Sequence, residues 1–221
     1  MSHQESPILF SRLGQEIASP IIVDLMARAL ANPNLLSLAA GFTDNVTLPR
    51  ELVRRYATEL TQEGLANEPL QYGHNQGRQR LRELSCKAIA THPGEKVQAF
   101  DPSSMFITNG SQQALYLSIQ AICDPGDIVL VEEPSYFVCL EMLKGLGLRP
   151  LGIPCDDTGG VLADGLAERL KQLDVAGQRS KVKAIYLVSY FCNPSSRSLS
   201  ASGKRSCLLY TSPSPRDLST S

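Results

Sequence analysis

From Ile8 to Tyr190 the chain switches between helical spacing of apolar positions and short, uninterrupted apolar runs. Ser19-Pro20 sets a capping residue before a proline at the first helical position, and Ile21, Leu25, Met26 and Ala29 then recur at helical spacing. Asn32-Pro33-Asn34 ends that segment. Pro49-Arg50-Glu51 opens a second helix, amphipathic through Leu52, Tyr56 and Leu60 and stopped by Gly64. Gly77 to Ala90 predicts a third, with Leu81, Leu84, Ala88 and Ile89 on its inner side.

Beyond residue 100 the texture becomes strand, turn, helix. Met105 to Thr108 predicts a short strand, Asn109-Gly110-Ser111 a tight turn, and Gln112 to Ile122 a helix. Asp124-Pro125-Gly126-Asp127 is turn chemistry. Ile128 to Val131 shows no polar alternation, the pattern of a strand covered on both faces. Ser135 to Leu146 predicts a helix ended by Gly147, Leu151 to Ile153 a weaker strand, Ala163 to Leu173 a helix, and Ala184 to Val188 another apolar strand. This alternation predicts an α/β fold, a three-layer α/β/α arrangement with a mostly parallel sheet, preceded by an N-terminal helical arm. No internal repeat is present.

After Pro194 the pattern lapses. Residues 195–221 hold ten serines in 27 positions, and no helix or strand period survives there. Residues 207–217, Cys-Leu-Leu-Tyr-Thr-Ser-Pro-Ser-Pro-Arg-Asp, resemble the translation of a transposase adapter used in preparing sequencing libraries. The natural reading frame is therefore expected to stop near Ser206, with a non-native remainder.

Composition narrows the function classes. With 221 residues, 43% hydrophobic and 19% charged, the chain has a globular composition. A net charge of −1 makes no electrostatic case for nucleic acid or an anionic membrane, so neither is expected as a partner. No apolar run approaches the ~20 residues of a membrane helix. Met1 to Glu5 lacks a signal-peptide start, which predicts a cytoplasmic protein. Cys86, Cys123, Cys139, Cys155, Cys192 and Cys207 form no C-x-x-C pair and lack histidines at ligand spacing. They are expected to be free thiols in a reducing compartment, several of them in the core, with no metal site.

Five places carry candidate chemistry. At Gly110-Ser111-Gln112 a strand, a glycine turn and a helix N-terminus would leave unpaired N–H groups for a phosphate, although Ser111 also suits a plain N-cap. Tyr136, in Glu132-Glu133-Pro134-Ser135-Tyr136, could stack on a flat ring beyond a strand's carboxyl end or pack on a helix. Asn193, before Pro194, could hydrogen-bond a ligand from the same rim or make a turn. Tyr72 sits before Gly73 in a glycine-bearing loop and has no evident core role. Gly41 either lets a ligand approach the backbone or makes a turn.

Together and in this order, these places resemble fold type I pyridoxal-phosphate enzymes, and among them class I/II aminotransferases of the branch acting on aromatic, branched-chain or aminoadipate-type substrates. The resemblance spans roughly residues 8–200. It implies pyridoxal 5'-phosphate as cofactor, with the phosphate at Gly110, Ser111 and Gln112, Tyr136 stacked on the ring and Asn193 bonded to the phenolic oxygen. It implies that Tyr72 reaches the phosphate of a neighbouring subunit in a homodimer, and that Gly41 lies near the substrate carboxylate. The implied divisions are residues 1–48 as arm and part of the small domain, 49–200 as an incomplete large cofactor-binding domain, and 201–221 as non-native tail.

In that family the Schiff-base lysine and the aspartate at the ring nitrogen follow the Asn-Pro motif, and an arginine near the C-terminus grips the substrate carboxylate. Here Arg197, Lys204, Arg205, Arg216 and Asp217 follow Asn193, none in a matching motif, while the Ser-x-x-Lys spacing at Ser180 to Lys183 precedes it. No catalytic residue is therefore assigned. Pro194-Ser195-Ser196 also stands where the family often has Pro-Thr-Gly or Pro-Ser-Gly. The expected activity is transamination between an amino acid and a 2-oxo acid by the parent protein, with this chain inactive. The alternatives are a carbon–sulfur or other lyase on the same fold, or the sensor domain of a transcription regulator. The roughly forty residues before Gly41 are neither basic nor long enough for a winged helix.

Overall fold

The computed structural model describes residues 10–11, 14–15, 21–32, 34–36, 43–62, 70–91, 100–156 and 163–205. The chain divides into two compact units, one from Ala18 to Asn109, the other Gly110–Ser221 with Met1–Ile17. Among the described residues no helix is long and apolar enough to cross a membrane.

The first unit carries three helices, α1 (Ile21–Ala31), α2 (Arg50–Leu60) and α3 (Gln79–Ala90). Each falls where the periodicity predicts it, although Ser19-Pro20 and Gly64 lie outside the described residues. The stripes are less covered than expected. Leu52, Tyr56 and Leu60 of α2 and Leu81, Leu84 and Ile89 of α3 are all exposed, and the buried residue of α3 is Cys86. Helical spacing identifies an apolar face, but only a neighbouring element can cover it. Arg82 of α3 donates from Nη1 to Pro102 O at 2.6 Å and from Nε to Gly77 O at 3.2 Å. It ties α3 to the 3-10 turn at Pro102–Ser104.

The strand expected at Met105 to Thr108 does not form. A strand exists only as part of a ladder, and Ile107 N, which donates to Gln76 O at 2.9 Å, ties this segment to a loop and not to a strand. Gly77, next to that tie, has φ +93°, and a Cβ there would sit 2.5 Å from Ile107 Cγ1. Only glycine fits both the backbone and the space.

The second unit runs α4 (Gly110–Ile122), β1 (Ile128–Glu133), α5 (Phe137–Gly145), β2 (Arg149–Pro154), α6 (Ala163–Val175) and β3 (Val182–Tyr186). The sheet is parallel in the order β2-β1-β3, with Leu130 opposite Leu151 on one side and Ile185 on the other. The chain steps one way from β1 to β2 and back across β1 to β3. Right-handed crossovers in opposite directions put their helices on opposite faces. The packing agrees, because alternate residues of β1 point to opposite sides. Ile128 and Leu130 join Ile153, Leu166 and Leu173 beneath α6. Val129 and Val131 join Ile119 of α4 and Cys139 and Leu143 of α5. β1 is thus buried on both faces, as its unbroken apolar run requires.

The segment after Pro194 is more ordered than its texture suggests. Residues 201–205 form a helical turn, started by Ser200, whose Oγ accepts from Gly203 N at 3.0 Å. Residues 206–221, including the adapter-like stretch, lie outside the described residues.

Candidate functional site

The second unit gathers three of the candidate places at one end of its sheet. Helix α4 feeds β1 through the turn at Asp124–Asp127, so the two run in opposite senses. Thirteen helical residues rise about 20 Å and six strand residues span about 20 Å. The N-terminus of α4 therefore lies level with the carboxyl end of β1. β1 and β3 are parallel neighbours, Val131 opposite Tyr186, so their continuations leave the sheet side by side. Those continuations carry Tyr136 and Asn193. In open parallel sheets this is the rim where ligands bind.

Gly110 starts α4 at φ +77°, and a Cβ there would meet nothing within 4 Å, so the turn needs the backbone freedom of glycine and leaves open space beside it. Ser111 and Gln112, in the first helical turn, are exposed. Tyr136 is the N-cap of α5, half-buried, with its ring edge-on to Phe137 at 5.2 Å. Gln112 and Tyr136 line one cavity of about 300 Å³ with Leu115, Tyr116 and Met142. That size is at the lower end of small-molecule sites. Ser135 Oγ, one residue before Tyr136, is buried without a hydrogen-bond partner among the described residues. A glycine-started helix N-terminus, an aromatic ring on the cavity wall and an orphaned hydroxyl on the residue before that ring fit a flat ring bearing a phosphate.

Asn193 is exposed and follows the buried Cys192. It does not line the 300 Å³ cavity. Its loop folds back on itself: Cys192 N donates to Arg197 O at 2.8 Å and Leu199 N to Ser189 O at 3.0 Å. The peptide bonds Glu133-Pro134 and Asn193-Pro194 are both cis. Ser196, in the position where the resembled family often has glycine, has φ +57°.

One residue of the rim escaped the sequence reading. Glu132, at the end of β1, is only 2% exposed. Its Oε1 accepts from Val188 N at 2.9 Å and from Cys192 Sγ at 3.1 Å. A polar residue closing a fully apolar strand was the available signal, because a buried carboxyl must find donors. Burial pushes the Cys139 thiol up to about 11, with Glu132 adding to it. Burial likewise raises Tyr186 to about 12, and raises Cys192, which also bonds to Glu132. The Cys192 thiol therefore stays protonated at neutral pH and acts as the donor to Glu132.

Tyr72 belongs to the first unit and is 100% exposed. It borders a cavity of about 630 Å³ with His74, Arg78 and Arg80. Gly41 lies outside the described residues. The five described cysteines, Cys86, Cys123, Cys139, Cys155 and Cys192, are free thiols. Among the described residues no cluster of three or more His, Cys, Asp or Glu could hold a metal ion.

The family pattern of aminotransferase class I and II matches residues 33–201, and the chain belongs to that family. Among its relatives, aromatic-amino-acid aminotransferase 1 of Thermococcus litoralis is 31% identical over 169 residues, 76% of this chain and 39% of the relative. The uncharacterized HTH-type transcriptional regulator YdcR of Escherichia coli K12 is 30% identical over 173 residues, 76% of this chain and 34% of the relative. The crystal structure of Pyrococcus horikoshii kynurenine aminotransferase, in complex with PMP, superposes with a TM-score of 0.81 at 32% identity, covering 92% of this chain and 48% of that one. The chain thus spans less than half the length of each. Its fold is the α/β fold of the pyridoxal-phosphate transferases, and pyridoxal phosphate is the cofactor of the family.

Proposed function

We propose that the protein carrying this chain is a pyridoxal-phosphate-dependent aminotransferase, moving an amino group between an amino acid and a 2-oxo acid. The observation that carries the reading is the shared rim, where the N-terminus of α4 opens beside Tyr136 and Gln112 in one cavity. On this reading Gly110, Ser111 and Gln112 hold the phosphate through the open turn of α4. Tyr136 covers one face of the ring and keeps water from it, and Asn193 hydrogen-bonds the phenolic oxygen. Bound pyridoxal phosphate supplies the electron sink and amino-group carrier. Gly41 borders the substrate carboxylate. The named activities of the Thermococcus and Pyrococcus proteins support an aromatic amino acid or kynurenine as substrate. The proposal includes a homodimer, supported by the exposure of Tyr72, and a role in cytoplasmic amino-acid metabolism, supported by the free thiols.

No lysine in the chain sits in the family's Schiff-base motif, so the 221-residue chain is expected to bind the cofactor without turnover. The test is equilibrium dialysis of the chain against pyridoxal phosphate and pyridoxamine phosphate, alongside an amino-acid and 2-oxo-acid exchange assay. Saturable binding without exchange is the expected result, and failure to bind either compound refutes the cofactor site. The likeness to YdcR favours a second reading, a cofactor-sensing domain of a regulator. Transamination by the complete protein decides against it.

A further inference from the structure

We propose that Glu132 is a positioning residue for the cofactor, acting through the loop that presents Asn193. The inference rests on the cofactor reading above. Val188 N–H lies two residues past the last residue of β3, where no ladder partner remains for it. Glu132 reaches across from the neighbouring strand and accepts that N–H with Oε1, and the same oxygen accepts from Cys192 Sγ. One carboxyl oxygen therefore holds both ends of residues 188–192, the segment that leads directly into Asn193. Cys192 is in turn the pivot of the loop, since its N donates to Arg197 O at 2.8 Å and its O accepts from Ser196 N at 2.5 Å. Fixing Cys192 fixes the point from which Asn193 leaves the backbone. Glu132 is buried at 2% exposure in the sheet, so its own position is set by β1 and not by the loop. A site held by a rigid element loses precision when the supporting bond is cut, even though the ligand never touches the support.

A purely structural role predicts something different from a positioning role, and two probes separate them. Pyridoxamine 5'-phosphate carries the phenolic oxygen that Asn193 would bond, and its 3-deoxy analogue does not. Dissociation constants are measured by equilibrium dialysis on the full chain and on Glu132→Leu, Cys192→Ala, Cys192→Ser, Asn193→Ala and the Glu132→Leu/Asn193→Ala double variant. Glu132→Leu is close in size to the original side chain but has no oxygen to accept from Val188 N or Cys192 Sγ. It should weaken pyridoxamine phosphate about tenfold, the worth of one well-made hydrogen bond, and leave the 3-deoxy analogue unchanged. Cys192→Ala should weaken it about threefold, and Cys192→Ser, which restores a donor, should return it close to the unaltered value. The double variant should bind no more weakly than Asn193→Ala alone. Cys192→Ala and its serine rescue keep the test decisive should Glu132→Leu fold poorly. Equal weakening of both probes, additivity in the double variant, or unchanged binding in Glu132→Leu overturns the proposal while the cofactor reading stands. Failure of the unaltered chain to bind either probe overturns both.

Discussion

Replacing Ser196 by glycine should stabilise the chain. Ser196 has φ +57°, in the left-handed region that glycine enters freely. For an L-residue that conformation costs about 1–2 kcal/mol. Glycine removes this cost but gives the unfolded chain more freedom, worth about 0.5–1 kcal/mol against folding. The net expectation is about 0.5–1 kcal/mol of stabilisation. With a denaturant slope of about 2–3 kcal/mol per molar urea, the unfolding midpoint should rise by about 0.3 M. The assay is urea unfolding under reducing conditions, followed by circular dichroism in parallel for Ser196→Gly, Ser196→Ala and Ser196→Val. Alanine should be near neutral, because it meets the same steric restriction as serine. Valine should be worse by about 1 kcal/mol, since β-branched side chains tolerate positive φ least. A midpoint that falls in Ser196→Gly, or rises equally in Ser196→Ala, refutes the argument that the backbone conformation is the cause.

Further expectations follow from other parts of the chain. Gly77→Ala puts a Cβ against Ile107 at a φ of +93° and should cost about 2–3 kcal/mol; the Gly77→Ala/Ile107→Ala pair should recover the steric part only, as read from urea midpoints. Stability should fall between about pH 9 and pH 12. Cys139 and Tyr186 are raised to about 11 and about 12 from 9.0 and 10.0, so the folded state favours their neutral forms. That contribution is complete below the unfolded values and is lost as pH rises through the folded ones. Midpoints that stay flat over that range refute it. Tyr72→Ala should leave the stability of the chain within about 0.5 kcal/mol, because the side chain is fully exposed. In the complete protein the same change should weaken binding of pyridoxal phosphate, which a titration against the unaltered protein would show.

Local structure and the class of fold are legible in the order of the residues. Periodicity over Gln112 to Ile122 and Ala163 to Leu173, and the unbroken apolar run Ile128 to Val131, predict the helices and the buried central strand, because spacing and β-branched content act over a few residues. The family motifs were legible for the same reason, each being a short run of neighbouring residues. The tertiary structure alone decided three things. It left Met105 to Thr108 unladdered, since a strand depends on a partner distant in sequence. It left the apolar stripes of α2 and α3 exposed, since a stripe does not name what covers it. It also joined Glu132 to Val188 and Cys192, which are 56 and 60 residues away. No local pattern encodes that contact. It follows from β1 and β3 lying side by side in register, which places a buried carboxyl beside an N–H that has left its ladder.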